Sequence, residues 1–97
     1  MIKITLIIKK VVYVELDQIY NYIEQDSKFY AEKTVNEINK RIENLLLFPE
    51  MGKVVDKDEN IRQIIYKSYK ILYKFNSENI YILHIIHHSK NISNLKF

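Results

Sequence analysis

Three histidines, His84, His87 and His88, lie within five positions of one another near the end of a 97-residue chain, with Arg62, Lys70 and Lys90 around them in sequence. Imidazole has an ordinary pKa of about 6.5, so it can take or give a proton near neutrality. Metal-free cleavage of an RNA backbone needs a base for the 2′-hydroxyl, an acid for the leaving oxygen and cations on the phosphate. These six residues could supply that chemistry. Lysine, however, is a point charge and lacks the planar fork that grips phosphate through two bonds. The plainer account of the histidines is that they end a strand and are satisfied by neighbours or solvent. They do not make a metal site. On a strand rising about 3.3 Å per residue, His84 and His88 share a face but stand about 13 Å apart, and His87 points the other way. No cofactor is expected either, because a single glycine excludes Gly-rich phosphate loops.

Charge divides the chain. Residues 1–59 carry nine basic and eleven acidic side chains, a net of −2, whereas residues 60–97 carry six basic and one acidic, a net of +5. Arg62, Lys67, Lys70, Lys74 and Lys90 thus form a candidate target-binding set for a polyanionic or acidic partner. A Lys-rich solvated sheet is the plainer alternative. Tyr66, Tyr69, Tyr73 and Tyr81 are interleaved with these cations, as in proteins that stack nucleic-acid bases. Tyr69, Ile71, Tyr73 and Phe75 also share one strand face, a pattern that more often builds core. Arg62 is one of two arginines, against thirteen lysines. A guanidinium in its place points to a site wanting a planar, always-charged fork. That fork would either pair with a carboxylate of Asp56, Asp58 or Glu59, or face a target together with Lys70 and Lys90.

The elements that must position these groups follow from periodicity. Residues 2–8 alternate (Ile2, Ile4, Leu6, Ile8) and read as a strand. From about Tyr13 the period becomes helical, with Leu16, Ile19, Tyr20 and Ile23 on one face. Gln25-Asp26-Ser27 breaks the helix, and Asp26 or Ser27 can cap the next. Ala31, Val35, Ile38, Ile42 and Leu45 then form one stripe on a helix of about twenty residues, which makes a helical hairpin. Pro49 ends it, since the residue before a proline avoids the α region. Lys53 to Asn60 reads as polar loop in which Val54-Val55 could pair briefly. Strands follow at Ile61–Tyr66, Tyr69–Phe75 and Ile80–His87. The last is apolar on both faces, with Ile80, Ile82 and Ile86 on one and Tyr81, Leu83 and Ile85 on the other.

Composition fits this reading. Hydrophobic residues at 47% and charged residues at 28% describe one globular domain spanning residues 1–97. The absence of cysteine excludes a disulfide scaffold or a thiol nucleophile. No apolar run exceeds four residues and Lys3, Lys9 and Lys10 interrupt the first apolar stretch. Neither a membrane span nor a cleavable leader is therefore expected, and the chain reads as cytoplasmic.

Several segments taken together resemble the RelE/ParE toxins of type II toxin–antitoxin systems, also known as plasmid stabilisation proteins. They are Leu16–Ile23, Ala31 opening the second helical stripe, Leu45–Lys53 with its Pro49-Glu50-Met51-Gly52-Lys53 end, Ile61-Arg62, Tyr69–Tyr73 and Ile82–His88. The order and spacing carry the resemblance, over about residues 13–91. It implies a small growth-inhibiting toxin neutralised by a cognate antitoxin whose disordered tail wraps the helical hairpin and sheet. RelE-like members cut messenger RNA in the ribosome, and ParE-like members inhibit DNA gyrase. The long hairpin and the Pro-x-x-Gly-Lys element look more ParE-like. Lysine replaces the family's arginine at positions 53, 70 and 90, and no C-terminal helix with a distal tyrosine follows Lys90. Both departures weaken a nuclease reading.

The expected fold is therefore α+β, in the order β-α-α-β-β-β, with a helical hairpin on a mostly antiparallel four-stranded sheet. The expected function is a toxin that binds gyrase. The alternatives are a ribosome-dependent endoribonuclease using His87, His88, Arg62, Lys70 and Lys90, and an inactive homologue retained as a binding partner. The expected partners are an antitoxin and either gyrase or the ribosome with its messenger RNA. A homodimer or a heterotetramer with the antitoxin fits the resemblance.

Overall fold

The computed structural model describes residues 3–92 and Leu95. Ile2, the first residue expected in the opening strand, lies outside the described residues. Strand β1 (Thr5–Ile8) leads into helix α1 (Lys10–Glu24), then α2 (Lys28–Asn44), a one-turn 3₁₀ segment (Pro49–Met51), β2 (Lys53–Asp56), β3 (Ile61–Tyr66), β4 (Tyr69–Phe75) and β5 (Asn79–His87). The sheet order is β1-β5-β4-β3-β2, with β1 parallel to β5 and every other pair antiparallel. The α+β class and the helical hairpin on a mostly antiparallel sheet are as expected, but the described residues form five strands and not four.

The fifth strand is β2, in the segment expected to be loop. Lys53 and Val54 pair with Gln63 and Arg62, and after a register shift Asp56 pairs with Ile61. It is a short edge strand that needs one partner, with Val55 packed on the sheet's second cluster and charged Lys53 and Asp56 at its ends, as suits an edge. Helix α1 also begins three residues earlier than its stripe suggests, because Val12 is fully buried. Ser27 caps α2, accepting the Tyr30 N–H at 3.2 Å. On α2 the buried stripe is Ala31, Thr34, Ile38, Ile42 and Leu45, with Val35 only partly covered.

The sheet buries both faces. On the helix side Val12, Ile19, Ile38, Ile42 and Leu45 pack with Tyr66, Ile71, Tyr73, Ile80, Ile82 and Ile85. On the other side Ile61, Leu72, Leu83 and Ile86 form a smaller cluster with Val55, Tyr81, Ile92 and Leu95. This explains why β5 is apolar throughout. Strict alternation, however, assigns Ile85 and Ile86 to the wrong faces. Leu72 pairs with His84 but Tyr73 pairs with Ile82, so Leu83 is an extra residue. Such a bulge reverses the alternation beyond it. Ile85 thereby joins the helix-side core and Ile86 the opposite cluster. Among the described residues no helix is long and apolar enough to cross a membrane.

Candidate functional site

Two side chains, the buried Tyr73 and the half-buried Arg62, hold the turn that follows α2. The Tyr73 hydroxyl donates to the Pro49 carbonyl at 2.7 Å and accepts the Gly52 N–H at 2.9 Å. Beside Tyr73, across the β3–β4 pair, Arg62 donates from one guanidinium nitrogen to the carbonyls of Glu50 and Gly52, both at 2.9 Å. Its guanidinium also lies 5.4 Å from the centroid of the Phe75 ring, in cation–π range. Gly52 has an ordinary extended backbone (φ −77°), so its need for glycine is one of space. An added Cβ would stand 2.5 Å from the Tyr73 hydroxyl oxygen and 2.8 Å from the Gln63 carbonyl. Burial pushes the Tyr73 hydroxyl pKa up, and the Gly52 N–H and the Arg62 charge act against that rise. The Arg62 fork therefore serves backbone carbonyls, not a loop carboxylate. Asp56 instead accepts the Glu59 N–H within its own loop at 3.1 Å.

A second arrangement lies where β1 runs out. Pairing of β1 with β5 stops at Ile8 and Ile82, leaving Leu83 to His87 without a neighbouring strand on that side among the described residues. Glu15 of α1 fills part of the gap. One carboxylate oxygen accepts the Ile85 N–H at 2.9 Å, as a strand carbonyl would, and the other lies 2.9 Å from His84 Nδ1. Both side chains are largely covered, at 10% exposure for His84 and 14% for Glu15. His84 is thus a structural partner of α1. Nothing in the spacing of residues 69 positions apart announced it; in the sequence Glu15 reads as outward-facing like Asp17 and Glu24, one of three carboxylates on α1.

Next to this pair, α1 and the end of β5 enclose a cleft of about 330 Å³ lined by Glu15, Gln18, Ile19, Tyr22, Tyr69, Ile85, Ile86, His87 and Lys90. Tyr69 meets His87 edge to face, with centroids 5.9 Å apart. Burial, with a smaller contribution from Tyr22, raises the Tyr69 pKa. His87 Nδ1 accepts the Ser89 N–H at 3.2 Å and lies 2.8 Å from the Ser89 hydroxyl. Nδ1 is therefore the acceptor nitrogen of this ring, which in the neutral form leaves the N–H on Nε2. His88 is exposed, its ring 4.4 Å from that of His87.

The other sequence-predicted residues do not converge on this cleft. Lys70 and Lys74 alternate with Ile71 and Tyr73 along β4 and so lie on the sheet face away from the helices, whereas Arg62, opposite Tyr73, is on the helix side. Arg62 and Lys70 therefore do not face one surface. Lys67 sits at the β3–β4 turn with φ 51° and its amine 5.5 Å from the Tyr66 ring, which Arg41 also approaches, at 5.4 Å. Lys74 lies 5.9 Å from the Tyr81 ring. Tyr69, Tyr73 and Phe75 belong to the helix-side core. Among the described residues no three His, Cys, Asp or Glu side chains gather as a metal-binding group.

Residues 6–92 match the family model described as the ParE toxin of the type II toxin–antitoxin system, parDE. Among solved structures, one titled "Chromosomal ParDE TA system from P. aeruginosa" is similar to this chain with a TM-score of 0.74 and 19% sequence identity, covering 87% of this chain and 95% of that one. At that identity the likeness concerns the fold. No curated protein matches the chain.

Proposed function

The chain belongs to the ParE toxin family of type II toxin–antitoxin systems, and from that premise we propose that it arrests growth by binding DNA gyrase in the cytoplasm and is silenced by a cognate antitoxin. The observation that carries the binding reading is the dispersal of the ionic groups. Metal-free RNA cleavage requires a base, an acid and phosphate-binding cations converging within hydrogen-bond reach of one reacting centre. Here His84 is engaged by Glu15, Arg62 by two backbone carbonyls, and Lys70 lies on the other face of the sheet. A toxin that works by occupying a protein surface needs no such convergence. Lys67, Lys70, Lys74 and Lys90 are then electrostatic contacts that speed encounter with the target, a role that tolerates spread charges.

One observation favours the endoribonuclease reading, namely that His87 and Lys90 share a cleft with two tyrosines. Controlled induction in a bacterium separates the readings. Gyrase poisoning gives filamentation with DNA damage, and ribosomal messenger-RNA cleavage gives abrupt arrest of translation. A His87→Ala/Lys70→Ala double variant that folds, binds antitoxin and remains toxic supports the binding reading. One that folds and is harmless supports the nuclease. A wild-type chain that binds a neighbouring antitoxin and inhibits nothing fits the inactive homologue.

A further inference from the structure

We propose that a hollow on the sheet face away from the helices binds a nucleotide, its phosphate held by Lys9 and Lys74 and its sugar and base laid along Tyr81 and Leu83. This goes beyond the gyrase reading and does not depend on it. The Lys9 N–H donates to the Ile82 carbonyl at 3.1 Å, which sets the end of β1 beside Leu83. Lys74 and Tyr81 pair across β4 and β5, and the Lys74 amine lies 5.9 Å from the centre of the Tyr81 ring. Together with Phe75, Asn76 and Leu83, these residues enclose about 570 Å³. Small-molecule sites run from about 300 to 1,000 Å³, and a bare phosphate or carboxylate would fill only a fraction of such a space.

The polar side chains around the hollow are left as donors. Asn76 Oδ1 already accepts the Glu78 and Asn79 N–H groups, both at 2.8 Å, so its amide nitrogen is the end still to be satisfied. The Tyr81 hydroxyl accepts from Asn79 Nδ2 at 3.2 Å and keeps its own hydrogen to give. Lys9 and Lys74 can only donate, and among the described residues neither pairs with a carboxylate. The first turn of α1, which starts beside Lys9, adds Lys10 and no acid. Glu78, in the adjoining β4–β5 turn, is exposed and does not line the hollow, and Asp56 is two strands away on β2. A set of donors, two of them charged, with no carboxylate among them suits a phosphate, because charge-assisted hydrogen bonds are about twice as strong as neutral ones. The aromatic and aliphatic remainder of the wall suits a base, for which a tyrosine ring is a sequence-tolerant platform.

The test titrates the full-length chain with adenosine 5′-monophosphate, adenosine, inorganic phosphate and a short single-stranded DNA, following backbone amides by two-dimensional NMR. Wild type is compared with Lys9→Gln/Lys74→Gln and with a control of equal charge, Lys33→Gln/Lys57→Gln, whose lysines are exposed elsewhere. The expected result is saturable binding of the monophosphate that shifts the amides of Lys9, Lys74, Asn76, Tyr81 and Leu83. That binding should weaken about tenfold or more in the first variant and less than about twofold in the control. Adenosine and phosphate alone should each bind about tenfold more weakly than the two joined. Melting temperatures show whether the variants fold; if the double variant does not, Lys9→Gln, at an exposed position that makes no capping bond, should still weaken binding about threefold. Phosphate that binds as tightly as the nucleotide overturns the assignment. Shifts scattered over the surface, equal weakening in the control, or no saturable binding of nucleotide or DNA also overturn it. A glutamate-rich peptide that binds these lysines more tightly than either overturns it in favour of an acidic protein. Stronger binding of DNA than of the monophosphate assigns the site to a nucleic-acid strand, and the reverse to a free nucleotide; either upholds it.

Discussion

Replacing Gly52 by alanine tests whether the braced turn is a packed feature of the fold. The backbone there (φ −77°, ψ 152°) suits alanine, so the change should gain about 0.4–1 kcal/mol through the unfolded chain if space allowed. Space does not allow it. The new methyl would stand 2.5 and 2.7 Å from two atoms of Tyr73, a residue with no exposure, and 2.8 Å from the Gln63 carbonyl in β3. None of these is the loose end of a flexible side chain. Overpacking of this kind costs roughly 1–3 kcal/mol. Displacing Tyr73 also loosens its hydrogen bonds to Pro49 and Gly52, each contributing about 1 kcal/mol. The balance is a loss of about 2–4 kcal/mol. For a domain of this size that lowers the melting temperature by roughly 10–25 °C. Differential scanning calorimetry or urea unfolding monitored by circular dichroism reads it directly. In a Tyr73→Phe background, where the hydroxyl nearest the new methyl is gone, Gly52→Ala should cost about 1 kcal/mol less than in wild type, because contacting residues couple by that order. A melting temperature within about 2 °C of wild type, or purely additive losses, would refute the packing argument.

Tyr73→Phe alone should cost about 1–3 kcal/mol, since it strands the Gly52 N–H and the Pro49 carbonyl. It should also soften alkaline unfolding. Burial raises the Tyr73 pKa above the unfolded value of about 10, so this tyrosine keeps its proton folded where it would lose it unfolded; stability is full below that pH and falls as pH rises towards the folded pKa. Denaturant midpoints between pH 8 and 11 check the slope, and Tyr69, shifted in the same direction, should leave part of it in place. Glu15→Ala should cost about 3–5 kcal/mol by removing the partner of His84 and the acceptor of the Ile85 N–H, with Glu15→Gln milder because an acceptor remains; chemical denaturation of both variants gives the comparison. Lys67→Gly should raise stability by about 0.5 kcal/mol, since lysine at φ 51° is strained, less the weak contact with Tyr66; a lower midpoint would contradict this.

Much of the fold was legible because it rests on periodic burial. The α2 stripe, the hairpin, the β3–β4 turn and the order of elements follow from spacing alone. What stayed hidden has physical causes. The start of α1 carries no side-chain cap and no acidic first turn, and the β-branched Val11-Val12 imitates strand. Strand β2 is an edge of four residues whose pairing is mostly backbone, so it leaves little pattern. The bulge at Leu83 swaps Ile85 and Ile86 between faces, which no reading by strict alternation can anticipate. Within the site, the rarity of arginine marked Arg62 as special, and Gly52 stood out only as part of the Pro49–Lys53 element. Their partners were not readable, because backbone carbonyls have no identity in a sequence. The Glu15–His84 pair was invisible for a related reason, since it depends on where a neighbouring strand ends.

The central claim is that this ParE-family chain acts by occupying gyrase and not by cutting RNA. The most direct measurement adds the purified chain to gyrase and relaxed plasmid, with a parallel reaction containing translating ribosomes and a defined messenger RNA. Occupation of gyrase predicts loss of supercoiling that added antitoxin restores, intact messenger RNA, and inhibition by the His87→Ala/Lys70→Ala variant that is at most a few-fold weaker, since it lacks one of four spread cations. Full supercoiling activity alongside messenger-RNA cleavage that this double variant abolishes would contradict it.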